Sequence, residues 1–528
     1  MNKLLTWSMT LLFPLAVSAQ SPIKFQKSIE TTEEEKSYTS KTIEMAGNGY
    51  FYFGIDYKRY KPNAVEVIHF SPELQLKGKK SNELSDEWKQ FTSAPDVYQL
   101  KDHVYFFMRE VYKESSTEGL AAVEFQPATL NFSKDKKIVV KTNGKVHYDP
   151  YGPYEFYECR ISKNKARMMV LYTKAHEKNR DKLSYEEKVF TVVDENLTPI
   201  WSKEFKMPHS ESDMEIYQYL VTNSGKVYML VAVKNPKEDR KKDVAGHFEI
   251  LVFDQNTIEK PTVFIPSFDN NYARNSELIE NEKGEVFLTG MFSKNTGRII
   301  DGFYALKLEE STGWATKYKN GFYEISEDLI KSNQNRKELR KLNKEDEKDD
   351  SKDVGVTDLI IRYSDFTENG DMIILAEQHR SVATQTRYST TYRIHDDDIY
   401  FVRIRANGES WIRKINKAQY STIPSGYELT FNYIIKNNDV YVLFVDSKRN
   451  ISKGLDQVPE VNGHGPKNYI CCVAVTPEGQ MTKSIVLNEI NEDCEQINLS
   501  YYTRGKNNSL YKPYGVGKKV QILTLKTN

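Results

Sequence analysis

One stretch of the chain concentrates side chains capable of chemistry. Between positions 379 and 398 it carries His379, Arg380, Arg387, Tyr388, Tyr392, Arg393 and His395, and it ends on Asp396, Asp397 and Asp398. Arginine and tyrosine are frequent interface anchors, and both can hold carboxylates or sugar rings. The run from His395 to Asp398 offers metal-ligand types, but ligation needs convergence, and neighbouring residues of an extended chain point apart. EF-hand spacing is absent around it. The run therefore reads as a charged turn, and no metal is assigned. A second set of candidates, Tyr151, Tyr154, Tyr272 and Arg274, falls in two short connecting loops between repeats, YDPYGPYE (148–155) and DNNYARNSE (269–277), expected near the mouth of a central channel.

Motifs for common chemistries are missing. There is no H-E-x-x-H helix, no G-x-S-x-G elbow and no phosphate-cradling glycine loop. The nine histidines are spread singly, and no cofactor is implied. Paired carboxylates of the kind that cleave glycosides are recognised by distance rather than by sequence. Four cysteines in 528 residues make no disulfide framework. Cys471 and Cys472 are adjacent in a strand-like run, so their side chains should face opposite ways. Burial as small apolar residues is expected for them and for Cys159. Export would permit a disulfide between Cys494 and one of the pair.

Lys and Arg number 74, as do Asp and Glu, so the formal net charge is zero. That balance lacks the basic excess of a nucleic-acid binder. Aromatic residues make up 12% of the chain, with 34 Tyr and 25 Phe, a bias that favours strands. At the start, Lys3, an apolar stretch from Leu4 to Val17 and the small-residue site Val17-Ser18-Ala19 have the three parts of a secretory signal peptide. Residues 1–19 are expected to be removed, leaving Gln20 first. No lipidated cysteine stands at that point, and no later run is apolar enough to span a bilayer. The expected location is the periplasm or the exterior.

The elements that must position the candidates repeat. A tight polar turn followed by a continuous apolar strand recurs at 47–57, 101–110, 163–173, 223–233, 282–292, 368–378 and 436–446, with a weaker copy at 506–517. Each such strand is apolar on both faces and should lie between packed sheets. Hairpins follow, as at 188–205, 248–265, 399–415 and 469–487, and a further strand precedes, as at 215–222, 359–366 and 428–435. Each unit is thus a four-stranded antiparallel meander, A to D in chain order, which cannot bury both faces alone. Radial packing buries them, so residues 20–528 are predicted to form an all-β, single-domain β-propeller. The last unit, ending at 518–528, lacks strand D, and the strand-like run 22–30 can supply it. That closure gives eight blades and removes an open edge. Seven blades, or two stacked β domains, are the alternatives.

In such a meander the A–B and C–D turns share one face and the B–C and D–A loops the other. The A–B and C–D turns are short. Length accumulates in the B–C loops 174–187, 234–247, 379–398 and 446–468, and in the D–A insertion 325–358, which reads as a short charged helix followed by flexible acidic chain. Loops on a rigid scaffold are where function gathers.

The segments AEQ (376–378), DIYFVRIRANGESWIRKINKAQYS (398–421) and LFVDSKRN (443–450) resemble a group of exported, propeller-like proteins of Gram-negative bacteria. The resemblance covers about a fifth of the chain. It implies compartment and fold, and that group lends no functional residue. The expectation is a non-enzymatic binding or scaffold protein of the cell envelope, holding a protein or glycan through the long-loop face. A polysaccharide-processing hydrolase or lyase at the channel mouth is the alternative.

Overall fold

The structure is a computed structural model. It describes residues 21–528 except 35–36, 38, 59–60, 85–95, 113–116, 143–145, 147–156, 176–184, 236–245, 258–259, 296–298, 310–312, 333–355, 386–389, 423–429, 462–467, 488–498 and 506–507. The signal-peptide segment, Tyr151, Tyr154, Arg387, Tyr388, Cys494 and most of the 325–358 insertion lie outside the described residues. So do the centres of the 174–187 and 234–247 loops.

The blades begin as turns. In blade four, Thr222 N–H bonds Lys226 O at 2.9 Å, and Gly225 N–H returns to Thr222 O at 2.9 Å. Gly225 takes φ +89° to close the loop. Blade six repeats the design, with Thr367 and Asp371 closing the turn and Gly370 at φ +84°. Such short loops bring two strands together antiparallel in one register. Blade three places Lys165 at the left-handed position instead, at φ +58°.

The described strands form eight antiparallel sheets of four core strands each, with two short additional strands. Blades one to seven begin at Thr39, Asp96, Glu158, Met214, Tyr272, Leu359 and Asn432. The A strands of blades three to six touch their neighbours in turn, which puts strand A on the inner wall of the ring. Blade eight takes strand A from Thr503–Arg504, B from Ser509–Val516 and C from Lys519–Thr527. Its strand D is Ile23–Lys27, paired from Ile23 opposite Thr527 to Lys27 opposite Leu523. Asn528 N–H adds a bond to Pro22 O at 2.9 Å. The eight-bladed propeller is closed by its N-terminal strand.

Among the described residues, eight apolar clusters fill the ring, one between each pair of neighbouring blades. Val227, Met229, Val231 and Val233 of blade four pack toward blade three, while Tyr228 and Leu230 between them pack toward blade five. That alternation is why strand B is apolar on both faces. A fully buried side chain of this size contributes roughly 1.5–3 kcal/mol. The final cluster joins Tyr50, Tyr52 and Phe70 of blade one to Tyr511 and Ile522 of blade eight. Cys471 lies in the cluster between blades six and seven, and Cys472 in the one between seven and eight, both buried as free thiols. Burial pushes both thiols well up from their ordinary range.

Three local expectations are corrected. Residues 379–398 do not form a loop: strands B (Met372–Gln385) and C (Thr390–Ile404) of blade six continue through them as a long paired hairpin. Its outer part is largely polar, with neither an apolar run nor a clean alternation, so the sequence gives no strand signal there. The run His395 to Asp398 is accordingly strand and not turn. Tyr272 and Arg274 lie in strand A of blade five (Tyr272–Glu280), not in the preceding connection. The described start of the insertion is a short helix, Glu327–Lys331, capped by Ser326.

Candidate functional site

The hairpin of blade six stands on a buried ionic root. The strand A–B ladder skips one residue between Ile361 and Tyr363, and that bulged residue is Arg362. A bulge re-aims its side chain. Arg362 Nε meets Glu377 Oε2 at 2.8 Å, and its Nη2 meets Asp396 Oδ1 at 3.3 Å. Glu377 is fully buried and also accepts from Lys417 Nζ at 2.5 Å and Thr430 Oγ1 at 2.8 Å. His379 Nδ1 lies 2.7 Å from Asp396 Oδ1. Burial pulls the Asp396 carboxyl upward, but His379, Lys417 and Arg362 outweigh it and hold it below the ordinary range. A second bulge follows, where Asp397 and Asp398 stand against Gln378 alone. Burial raises both of their carboxyls, against Arg380 for Asp397 and Lys414 for Asp398.

Beyond this root the hairpin projects. Strand Gln419–Thr422 pairs along its C side from Asp396 to Arg393. Arg380, Ser381, Val382, Ala383, Tyr392 and Arg393 are exposed. The Arg393 guanidinium lies 5.8 Å from the Tyr420 ring, and His395 is tilted against the same ring. Burial, then Arg380 and Arg393, lowers the His395 pKa. The structure therefore splits the sequence candidates. His379 belongs to the root, Arg380 is tied to Asp397 at 3.2 Å, and Tyr392, Arg393 and His395 face outward with Tyr420. Arg274 stacks near Tyr272 at 5.9 Å, apart from this group.

A different cluster forms on the opposite face, where the short turns meet the axis. Its centre is Asp365, at the end of strand A of blade six (Leu359–Phe366). Asp365 Oδ1 meets Lys163 Nζ of blade three at 3.1 Å, and Oδ2 meets Arg504 Nη1 of blade eight at 2.7 Å and Tyr433 Oη of blade seven at 3.1 Å. Lys163 also reaches Glu282 of blade five at 3.2 Å. Five blades can meet this way only at the axis, so the cluster is the mouth of the central channel. A cavity of about 420 Å³ opens there, with Phe366, Ile434 and Ile435 as apolar lining. The Arg504 guanidinium stacks 3.5 Å from the centre of the Tyr433 ring. Burial lowers its pKa although 40% of the side chain is open to solvent. For Lys163 burial pulls down, but Asp365 and Glu282 together raise it. Deeper in the channel wall, burial raises the Glu277 carboxyl, a Ser364 hydrogen bond opposes it and the Asp365 charge adds to it, and its Oε1 has no partner among the described residues.

Sequence reasoning did not find this cluster. Its members sit in the short turns or at strand ends, and Lys163 and Asp365 are 202 positions apart. Ring closure alone brings them together.

No family model and no curated protein matches the chain. Among solved structures, it is similar to the WD40 domain of SCAP from fission yeast, at 7% identity and TM-score 0.36, over 96% of this chain and 98% of that one. It is similar to the β-propeller domain of the Trilobed protease from Pyrococcus furiosus, at 9% identity and TM-score 0.32, over 74% and 96%. The acylaminoacyl peptidase of Pyrococcus horikoshii matches at 11% identity and TM-score 0.31 over 81% of this chain, which spans 60% of the peptidase's length. Likeness at this level assigns no function. The propeller fold stands on the sheet pairing itself.

Proposed function

We propose that this protein is an exported, non-enzymatic binding or scaffold protein of the cell envelope, and that it holds a protein partner with the blade-six hairpin. The observation that carries the reading is the hairpin's construction. Its strands run 14 and 15 residues, a third strand backs it, and buried ion pairs fix its root. A projecting arm held this way presents Tyr392 and Arg393 with little ordering cost on binding. Exposed Val382 and Tyr392 (41% and 46%) supply apolar contact beside the charges.

The test is crosslinking in native cells, tagged purification and mass spectrometry, with full-length protein and with a variant in which 381–394 is replaced by a two-residue turn. A stoichiometric partner that disappears with the hairpin supports the reading. A partner that persists without it, or none above background, overturns it. Export is tested on the same material, where N-terminal sequencing should begin at Gln20.

A second reading, a polysaccharide-processing hydrolase or lyase, draws on Asp365 and Glu282, which converge on Lys163 at the channel mouth. Both carboxylates are paired with a cation there. The binding reading accounts for the hairpin, and the hydrolase reading leaves it unexplained.

A further inference from the structure

We propose that the channel mouth on the short-turn face is a binding site for a neutral pyranose sugar, one or two units long. The site lies across the ring from the hairpin face and does not depend on it.

Size comes first. A cavity of about 420 Å³ falls within the roughly 300–1,000 Å³ of small-molecule sites. Charge then narrows the ligand. Lys163 and Arg504 are matched by Asp365 and Glu282 through contacts of 2.7–3.2 Å. An anion would have to displace Asp365 from both cations and would face Glu368 at the rim. A cation would meet Lys163 and Arg504 themselves. A ligand without net charge disturbs neither pair.

Hydrogen-bonding capacity remains for such a ligand. Arg504 uses Nη1 on Asp365, and no described residue engages its Nε or Nη2. Glu368 and Asn508 line the cavity and have no partner among the described residues. These groups combine planar donors and acceptors, which suit neighbouring hydroxyls that both give and take a hydrogen bond. Partly exposed Ile435, with the edges of the largely buried Phe366 and Ile434, gives a small apolar patch for the C–H face of a pyranose. Arg504 is already clamped between Tyr433 and Asp365. Its fork is therefore presented with little loss of rotamer freedom on binding.

The experiment is calorimetric titration of the purified mature chain with neutral sugars (glucose, galactose, mannose, N-acetylglucosamine and their disaccharides), alongside glucuronate and glucose 6-phosphate. Arg504→Lys keeps the charge and removes the fork. Glu368→Gln, at the exposed rim, keeps the fold and removes an acceptor. Binding of a neutral sugar that weakens about tenfold or more in either variant, the size of one good charged hydrogen bond, supports the proposal. It should persist unchanged when 381–394 is shortened. No neutral sugar bound at ~10 mM, preference for the anionic sugars, or binding indifferent to both variants overturns it.

Discussion

Two carboxylates of blade six, Glu377 at the hairpin root and Asp365 at the channel mouth, show how partner burial sets the worth of a charge. Glu377 and Lys417 are both 0% exposed. Removing Glu377 strands a buried ammonium, and Glu377→Ala is expected to cost about 3–5 kcal/mol. Asp365 also has charged partners, but Lys163 and Arg504 are 36% and 40% exposed, and solvent screens them. Asp365→Ala should cost only about 1–2 kcal/mol. Denaturant titration of both variants checks the order; equal losses would contradict it. Lys512 supplies a pH signature. Burial pulls its ammonium down to about 8, whereas an unfolded lysine keeps its proton to about 10.4. Between those values the unfolded state binds more protons, so this residue makes stability rise with pH across that window. Below about 8 its burial cost is fully present. Lys512→Met should stabilise at pH 7 by on the order of 2 kcal/mol, with the gain shrinking by pH 10. Unfolding measured at both pH values tests the sign.

At the scale of elements, the tight turns do most to define the blades. Gly370 sits at φ +84° with nothing within 4 Å of where a Cβ would stand. Gly370→Ala therefore meets no clash and reports backbone strain alone, expected at about 1 kcal/mol. A thermal melt of that variant measures it. These turns were legible because Asn, Gly and Thr announce them and because apolar strands follow. Strand B was legible because each of its faces packs on a different blade, as Met229 and Leu230 illustrate. The hairpin's outer half was not, since one exposed arm needs no apolar run. Nor were the bulges at Arg362 and at Asp397 and Asp398, where no glycine or proline marks the slip. The channel-mouth cluster left no local signal at all, because Asp365, Lys163 and Arg504 belong to different blades.

For the whole molecule, the ring depends on one short pairing. Ile23 is 2% exposed and packs in the cluster between blades seven and eight. Deleting 21–32 should leave strand C of blade eight as an open edge, lower the melting temperature by roughly 5–10 °C and promote association through that edge. Calorimetry and light scattering on the truncated chain test both effects. An unchanged melt would mean that the interblade clusters hold the ring without its clasp. The same clasp dictates an order of events during synthesis. Blade eight borrows a strand from the other end of the chain, with Ile23 opposite Thr527. At ribosomal rates of about 5–20 residues per second, that first strand waits some 25–100 s for its partner to be made. Until residues 509–527 exist, Ile23–Lys27 has no strand to pair with, and the ring cannot close through this clasp.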